Sequence, residues 1–414
     1  MRVLVVGRGG REHAVVQKLA SDGVSEIFAA PGNVGMKAAT LVPINETSVS
    51  ELAEFAADNQ IDLTIVGPES ALVAGIVDEF NNRGLQIFGP TAAAAQLEGS
   101  KAFAKQLMAK HGIPTAAYAE FTDTDQALAY VRERGLPFVI KADGLAAGKG
   151  VVIPTTLAEA EATIIDMLSG SAFGDSGKRI VIEEFLDGEE FSLMSFVAGD
   201  KFATMPVARD YKRAFDGDAG LNTGGMGAHS PNPLITDADT AEAIATVVEP
   251  TVAALAADGL PFTGVLYAGL IKTDDGVKVI EFNVRFGDPE TEVVLPRLET
   301  PLVSLIGSLM AGQQPDVEWS SEPAVGVVLA SQGYPGEFPK GGAISGLDRL
   351  DGVEVYHMGT GASNSGQLIA NGGRVLFVAA KGDTLADARA RVYQEIEKID
   401  APTLFHRTDI ALNK

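Results

Sequence analysis

Four short strand-like runs constrain the first part of this chain more than anything else in it. Val3–Val6, Ile27–Ala30, Leu63–Val66 and Gln86–Phe88 each stop at a glycine-bearing turn: Gly7-Arg8-Gly9-Gly10, Pro31-Gly32-Asn33, Gly67-Pro68-Glu69 and Gly89-Pro90. Arg11–Ala20, Leu52–Asn59 and Ala71–Arg83 carry helical spacing between them. Short apolar runs alternating with helices are the pattern of parallel strands buried on both faces. The region therefore predicts an open α/β unit whose working loops lie at the carboxyl ends of its strands. The chain has 46 Gly in 414 residues, many of them clustered, which predicts several loops where backbone approaches a ligand closely.

Composition narrows the function. At about 150 residues per domain the length predicts two to four domains. The formal charge of −23 argues against nucleic acid and anionic membrane as partners, yet local clusters can still bind small anions. With no Cys, disulfides, thiolate metal sites and a Cys nucleophile are excluded. The apolar start stops at Gly7, too short for a signal core or a membrane span, so a cytoplasmic location is expected.

Three regions follow: an open α/β unit at 1–100, a mixed α+β region at 101–318 and a β-rich region at 319–414. Phe138–Lys141 and Val151–Ile153 flank a Gly-rich turn and predict a hairpin-like flap rather than a βα unit. Leu157–Leu168 and Thr240–Ala257 read as helices, and Gly264–Lys272 with Val277–Phe282 as a hairpin. Residues 209–233 read as a long polar loop, and such loops are functional or disordered. Trp319–Pro323 reads as a linker. Beyond it, Ala324–Ala330, Val353–His357 and Val375–Ala379 read as packing strands and Leu385–Ile399 as a helix, with no catalytic constellation. His13 is placed on the surface of its helix.

Several motifs could carry chemistry. Gly7-Arg8-Gly9-Gly10-Arg11-Glu12 sits between a strand and a helix, where backbone N–H groups and the helix dipole suit an anion. It departs from the dinucleotide fingerprint, because Glu12 occupies the third glycine position. Lys141 to Gly150, with Gly148, Lys149 and three Gly in all, suits a cover over phosphates. Glu281, Asn283 and Arg285 stand at i, i+2 and i+4, which on a strand would share one face. Hard oxygens on Glu281 and Asn283 suit Mg²⁺, and Arg285 suits a phosphate or carboxylate. Glu183, Glu184 and Leu186 lie where a strand leaves the core, followed by Glu190; backbone there can meet an adenine edge and a carboxylate can hold ribose hydroxyls. Arg209 to Arg213 concentrates cations beside Asp210, and Asn222-Thr223-Gly224-Gly225-Met226-Gly227 offers hydroxyl and backbone donors.

In this order the motifs resemble the ATP-grasp ligases, and more narrowly the phosphoribosylamine–glycine ligases (glycinamide ribonucleotide synthetases), over essentially the whole chain. Asn222 to Gly227 and Glu281 to Glu290 are the most specific parts. The resemblance implies a carbon–nitrogen ligase acting on small molecules: ATP, glycine and 5-phosphoribosylamine give glycinamide ribonucleotide, ADP and phosphate in de novo purine biosynthesis. It implies Lys105, Lys141 and the flap (Gly148, Lys149, Gly150) on the ATP phosphates, and Glu183, Glu184, Leu186 and Glu190 on adenine and ribose. Glu281 and Asn283 are implied as ligands of Mg²⁺ or Mn²⁺, and Arg285 and Asp210 as catalytic residues. Gly9, Gly10, Arg11, Glu12, Asn33, Glu69, Asn222, Thr223, Gly224 and Asp288 are implied in substrate binding. The resemblance also implies a substrate-binding domain at 1–100, a two-lobed ATP-grasp domain at 101–318 with its flap lobe at about 115–187, and a small C-terminal domain at 319–414; a monomer is expected. The strand before Glu281 lacks the second carboxylate of many grasp enzymes, so a second metal would need Asp210 or Asp288. The competing readings are a relative with other substrates, a non-catalytic nucleotide sensor, and a nicotinamide-dependent dehydrogenase built on the first loop.

Overall fold

A computed structural model describes residues 1–144, 150–170 and 178–412. The first sheet contains β1 (Arg2–Gly7), β2 (Glu26–Pro31), β3 (Thr40–Leu41), β4 (Leu63–Val66) and β5 (Ile87–Phe88). All pairs are parallel, in the order β3-β2-β1-β4-β5. The strand order reverses between β1 and β4, so the loops at Gly7–Gly10 and Gly67–Glu69 flank one crevice, the position where such sheets bind ligands. The expected helix Ala71–Arg83 is two helices, Glu69–Val73 and Ile76–Asn82. Gly75 separates them at φ +84°, a left-handed conformation that a side chain would strain.

The second sheet holds β6 (Tyr118–Phe121), β7 (Phe138–Ala142), β8 (Val151–Val152) and β9 (Ile180–Glu184), in the order β6-β9-β7-β8. Ile140 pairs with Val152 and Lys141 with Val151, so the described ends of the Gly-rich turn do form an antiparallel hairpin. Helices Thr124–Arg134 and Leu157–Leu168 cover this sheet. Val131, Phe138, Ile140, Ile164 and Ile182 give the lobe a core of its own.

The chain continues through β10 (Glu189–Ala198), β11 (Lys201–Thr204), β12 (Arg209–Asp210), β13 (Arg213–Phe215), β14 (Ala219–Asn222), β15 (Gly227–Ser230), β16 (Thr263–Thr273) and β17 (Gly276–Asn283). The third sheet runs β11-β10-β16-β17. Asp237–Ala257 has the length and composition of a membrane span. Yet its Val247, Val248, Val252 and Leu255 are buried in the same apolar cluster as Leu193, Leu266 and Val279 of the sheet, so here it is a core helix. Its middle, Ile244–Val248, is a π turn just before Pro250, which has no N–H to continue the α pattern. Residues 209–233 are not structureless, in contrast to the sequence expectation. β13 and β14 pair with each other, and β12 and β15 join the C-terminal sheet. Alternation is hidden there because each strand is only two to four residues long.

The C-terminal part adds β18 (Ala324–Ser331), β19 (Glu354–His357), β20 (Thr360–Ala362), β21 (Leu368–Ala370), β22 (Arg374–Lys381) and β23 (Leu404–Phe405), of which all but β20 and β21 join that last sheet. The order is β12-β15-β18-β22-β19, with β23 also on β18 and a separate β20–β21 hairpin. Helix Leu385–Ile396 packs on it and ends before the expected Ile399. Trp319 is no free linker: it bridges Leu298 and packs against the core.

His13 also departs from expectation. It is 2% exposed. Its Nδ1 accepts the His357 N–H at 2.8 Å, and its ring lies 5.5 Å from that of His357. Burial first, then the His357 ring, pull it down to about 3. The helix it rides packs its inner face on β19, so the surface assignment failed for lack of knowledge of that partner. The folded protein thus resists a proton that the unfolded chain takes up near pH 6.5, so this contribution to stability is full above pH 6.5 and is lost as pH falls. Relative to the parent, His13→Gln will lose less stability between pH 6.5 and 5, by up to about 2 kcal/mol at 1.36 kcal/mol per unit. Urea midpoints at the two pH values check this; parallel losses would remove His13 from the account.

Candidate active site

On one side of the cleft, two lysines share a carboxylate. Helix Lys101–His111 carries Lys105 and β7 carries Lys141. Their Nζ atoms lie 2.9 and 3.0 Å from Glu183 Oε2. Lys105 also donates to Thr115 Oγ1 at 2.8 Å, and Lys141 to the Ile280 carbonyl at 3.0 Å. All three charged groups are buried. Burial and the neighbouring Lys141 pull Lys105 down to about 8, against the pull of Glu183. Two ammonium groups facing one carboxylate leave net positive charge in a dry wall, the condition for holding phosphate. Glu183 is therefore enclosed between the lysines, at the strand end where adenine and ribose are expected. Glu184 is exposed and Phe185, 37% exposed, follows it at the strand exit with Leu186 half-buried. Gly148 and Lys149 lie outside the described residues; the Gly150 carbonyl accepts from Ala142 N–H at 2.8 Å.

Glu281 and Asn283 are two apart on β17. Among the described residues the Glu281 carboxylate takes no hydrogen bond or ion pair, and Gly269 lies opposite it, where a Cβ would come 3.1 Å from Glu281 Cγ. Arg285 is not on the strand, which ends at Asn283. It reaches the same place from the following bend, donating from Nη2 to Asn283 Oδ1 at 3.2 Å. Its guanidinium also meets Glu69 Oε2 at 3.1 Å and Glu98 Oε1 at 2.9 Å. Glu69 is half-buried; burial works to raise it, but Arg285 and Arg11 outweigh burial and hold it at about 2. Glu98 is pushed up by burial and also accepts Val284 N–H at 2.8 Å.

The first loop faces this arginine across the crevice. Arg11 Nη1 donates to the Phe286 carbonyl at 3.1 Å and stands 3.7 Å from Glu69. Glu12 is 3% exposed and accepts Gly9 N–H. A Cβ at Gly7 or Gly67 would collide with it, at 2.6 and 2.0 Å. Glu12 therefore fills the space under the turn and caps the start of the helix. The same filling explains why the loop cannot seat a dinucleotide in the usual way. Asn33 is also committed: its Nδ2 donates to the carbonyls of Arg8 and His357 at 2.7 and 2.8 Å, and its Oδ1 accepts from Gly35 N–H. It ties the first domain to β19.

The last group gathers around Asp210. Asp210 and Lys212 project to the same side, with Lys212 Nζ 3.1 Å from Asp210 and 2.9 Å from Glu190. Burial, then Glu290 and Glu190, outweigh Lys212 and raise Asp210 to about 6. Lys212 also keeps Glu190 below the usual carboxylate range. Glu290 Oε1 accepts from Ser192 Oγ and Tyr267 OH at 2.9 and 2.7 Å. Thr223 Oγ1 donates to the Lys212 carbonyl and accepts Gly225 N–H; Asn222 pairs with Arg213 at the end of β14. Contrary to the sequence expectation, the C-terminal strands take part. Arg374 Nη1 donates to the Gly224 carbonyl at 2.7 Å and lies 2.8 Å from Asp288 Oδ1, and Tyr334 OH accepts Gly224 N–H at 3.0 Å. Asp288 is thereby committed to Arg374. No cluster of three metal-binding side chains occurs among the described residues.

Three family models match the chain in sequence order: Phosphoribosylglycinamide synthetase, N domain over residues 1–98; ATP-grasp (A) domain over 99–291; and C domain over 324–413. The chain belongs to the phosphoribosylglycinamide synthetase family. Among curated relatives, the phosphoribosylamine–glycine ligase of Halalkalibacterium halodurans is 53% identical, covering 99% of this chain and 96% of its own. That of Listeria monocytogenes is 51% identical with 99% of each covered. The crystal structure of phosphoribosylamine–glycine ligase from Thermotoga maritima matches 99% of this chain and 100% of its own with TM-score 0.87 at 34% identity. A biotin carboxylase domain of Hydrogenobacter thermophilus 2-oxoglutarate carboxylase shares the fold at TM-score 0.73 and 16% identity.

In this synthetase-family chain, sequence reasoning passed over Glu98, Lys212, Glu290, Tyr334 and Arg374 as site residues. Lys212 was within reach, since it follows Asp210 by two in a short cationic run. Glu98 and Arg374 had no local signal: each is a single charge in an ordinary helix or strand pattern, brought in by tertiary packing.

Proposed function

We propose that this cleft joins glycine to 5-phosphoribosylamine with cleavage of ATP to ADP and phosphate, giving glycinamide ribonucleotide in de novo purine biosynthesis. The observation that carries the reading is the convergence of the Lys105–Lys141 pair, the Glu281–Asn283–Arg285 group and the first-loop crevice in one chain that matches the family from end to end. Lys105, Lys141 and the flap at 143–150 neutralise the triphosphate, and Glu183 holds the two lysines in place. Backbone at Glu184–Leu186 meets adenine, and Glu190 meets ribose. The glycine carboxylate attacks the γ-phosphorus to form glycyl phosphate; the amine of phosphoribosylamine then displaces phosphate. No protein nucleophile is needed, and positioning and charge stabilisation supply the rate.

Glu281 and Asn283 fit a divalent cation, Mg²⁺ or Mn²⁺. They offer one carboxylate with no partner among the described residues and one amide oxygen, a sparse set that suits a cation held mainly by nucleotide phosphates and water. Such an ion, held by Glu281 and Asn283, would supply positive charge to offset that of the phosphates. Asp288, paired with Arg374, is not free to act as a second ligand. Gly9, Gly10, Arg11 and Glu69 bind the phosphoribosyl part. Glu12 and Asn33 shape that loop from beneath. Asp210, Asn222, Thr223 and Gly224 receive glycine and the incoming amine. The proposal includes a monomer and the region boundaries 1–100, 101–318 and 319–414.

The test is ADP release from Mg²⁺-ATP, with glycine and with phosphoribosylamine generated in situ. ADP that appears only with both co-substrates is the expected result. Turnover with a different acid or amine would keep the ATP-grasp chemistry and discard the substrates.

A further inference from the structure

Glu292 stands apart from every other acid near the cleft. It lies on the short helix Thr291–Val294, is 0% exposed, and both its oxygens are buried without a hydrogen-bond partner. Arg11 Nε, Glu12 Oε1 and Asp288 Oδ1 also lack hydrogen bonds of good geometry, but each stands in an ion pair: Arg11 with Glu12 at 3.1 Å and Asp288 with Arg374 at 2.8 Å. Glu292 has neither. It is pressed against the start of the first helix, where a Cβ at Gly10 would come 2.3 Å from its Oε1. The charged and titratable groups around it are Arg11 on that helix, Asp288 on its own loop, Arg374 on β22 and Tyr356 on β19. Its apolar neighbours Val293 and Val294 lie in a cluster with Ala14, Met226, Val328 and Phe377.

A carboxylate sealed in such a place without a partner is far too costly to persist, whereas the neutral acid is tolerated. The balance of charge agrees. Arg374 is shared between Asp288 and the carbonyls of Gly224 and Asp288, and a second anion beside it would compete for the same guanidinium. We infer that Glu292 is a positioning residue that works as an uncharged carboxylic acid, leaving Arg374 to clasp the Asp288 and Gly224 loops while packing beneath the Gly9–Gly10 turn. Burial and then Asp288 push Glu292 well above the usual carboxylate range, outweighing Arg374, its own backbone N–H and Arg11. The inference rests on the proposed function for what those loops bind, but not for the protonation state itself.

The full-length protein and Glu292→Gln are compared by infrared difference spectroscopy at neutral pH. A protonated carboxylic C=O band present in the parent and missing from the variant is expected; a difference confined to carboxylate bands overturns the inference, whatever the enzyme's substrates. The second arm is kcat/KM for phosphoribosylamine. Glu292→Gln, the neutral isostere, should stay within about threefold of the parent near neutrality, while Glu292→Ala should fall more than about tenfold. At alkaline pH the parent, whose Glu292 ionises and draws on Arg374, should fall before Glu292→Gln does. A Gln variant as impaired as the Ala variant, or coincident alkaline limbs, would refute the positioning role even if Glu292→Ala fails to fold. A parent inactive with these substrates but showing the carboxylic band would fault the proposed function and leave the protonation state standing.

Discussion

Arg285→Ala is expected to lower kcat by more than about a hundredfold, equivalent to about 3 kcal/mol or more of transition-state stabilisation, the scale of a preorganised charge donor. The guanidinium is fixed on several sides: Asn283 Oδ1 at 3.2 Å, Glu69 at 3.1 Å, Glu98 at 2.9 Å and the Phe286 carbonyl at 3.1 Å. Those contacts hold the group in place before substrate arrives, so little reorganisation is left for the moment of phosphoryl transfer. The two acids keep Arg285 charged at every accessible pH. Removing it leaves Glu98 buried without its cation, which adds a cost in stability. Arg285→Lys separates the effects, because it keeps the charge but loses the planar fork; it should fold like the parent and still lose most of kcat. Kinetics with saturating ATP, beside a thermal melt, decide the matter. A loss under tenfold in a well-folded Arg285→Ala would demote the residue to a structural tie.

Glu281→Gln is expected to abolish turnover almost completely and to weaken Mg²⁺-dependent ATP binding, with little change in stability. The carboxylate has no protein partner among the described residues, so its removal breaks no internal ion pair, and Gln fills the same space opposite Gly269. What is lost is one of two hard-oxygen ligands, and with it the charge that opposes the cation. Calorimetric titration of ATP with and without Mg²⁺ should show the parent gaining affinity from the metal and the variant gaining far less. Near-normal activity, or an unchanged response to Mg²⁺, would overturn the assignment of Glu281.

Much of the architecture could be read directly. The N-terminal unit was legible because its parallel strands are continuous apolar runs punctuated by glycine, and burial on both faces leaves no other composition. The flap hairpin was legible from two β runs around a Gly-rich turn, and the β16–β17 hairpin from its length. The short strands β12 to β15 were not, since two to four residues show no alternation and each owes its form to its pairing partner: β13 to β14, β12 to β15, and β15 in turn to the distant β18. The break at Gly75 was missed because the helical pattern persists across it, and only the left-handed backbone ends the turn.

Spacing along the chain already points to groups proposed for the cleft, such as Glu281 and Asn283 two apart on β17 and the glycine turns after β1 and β4, because a strand or a tight turn sets where successive side chains point. Arg285, beyond the end of β17, joins them only through the following bend. Which groups are free and which are committed follows from packing. Glu12 and Asn33 are spent on internal bonds, Glu183 is locked between two lysines, and His13 is buried against β19. Arg374 on β22 and Tyr334 in the turn after β18 both contact Gly224 of the Asn222–Gly227 loop. The reason is electrostatic: in a dry cleft each charge must find a counter-charge or a dipole, and that partner comes from wherever the fold brings one near, at any distance along the chain.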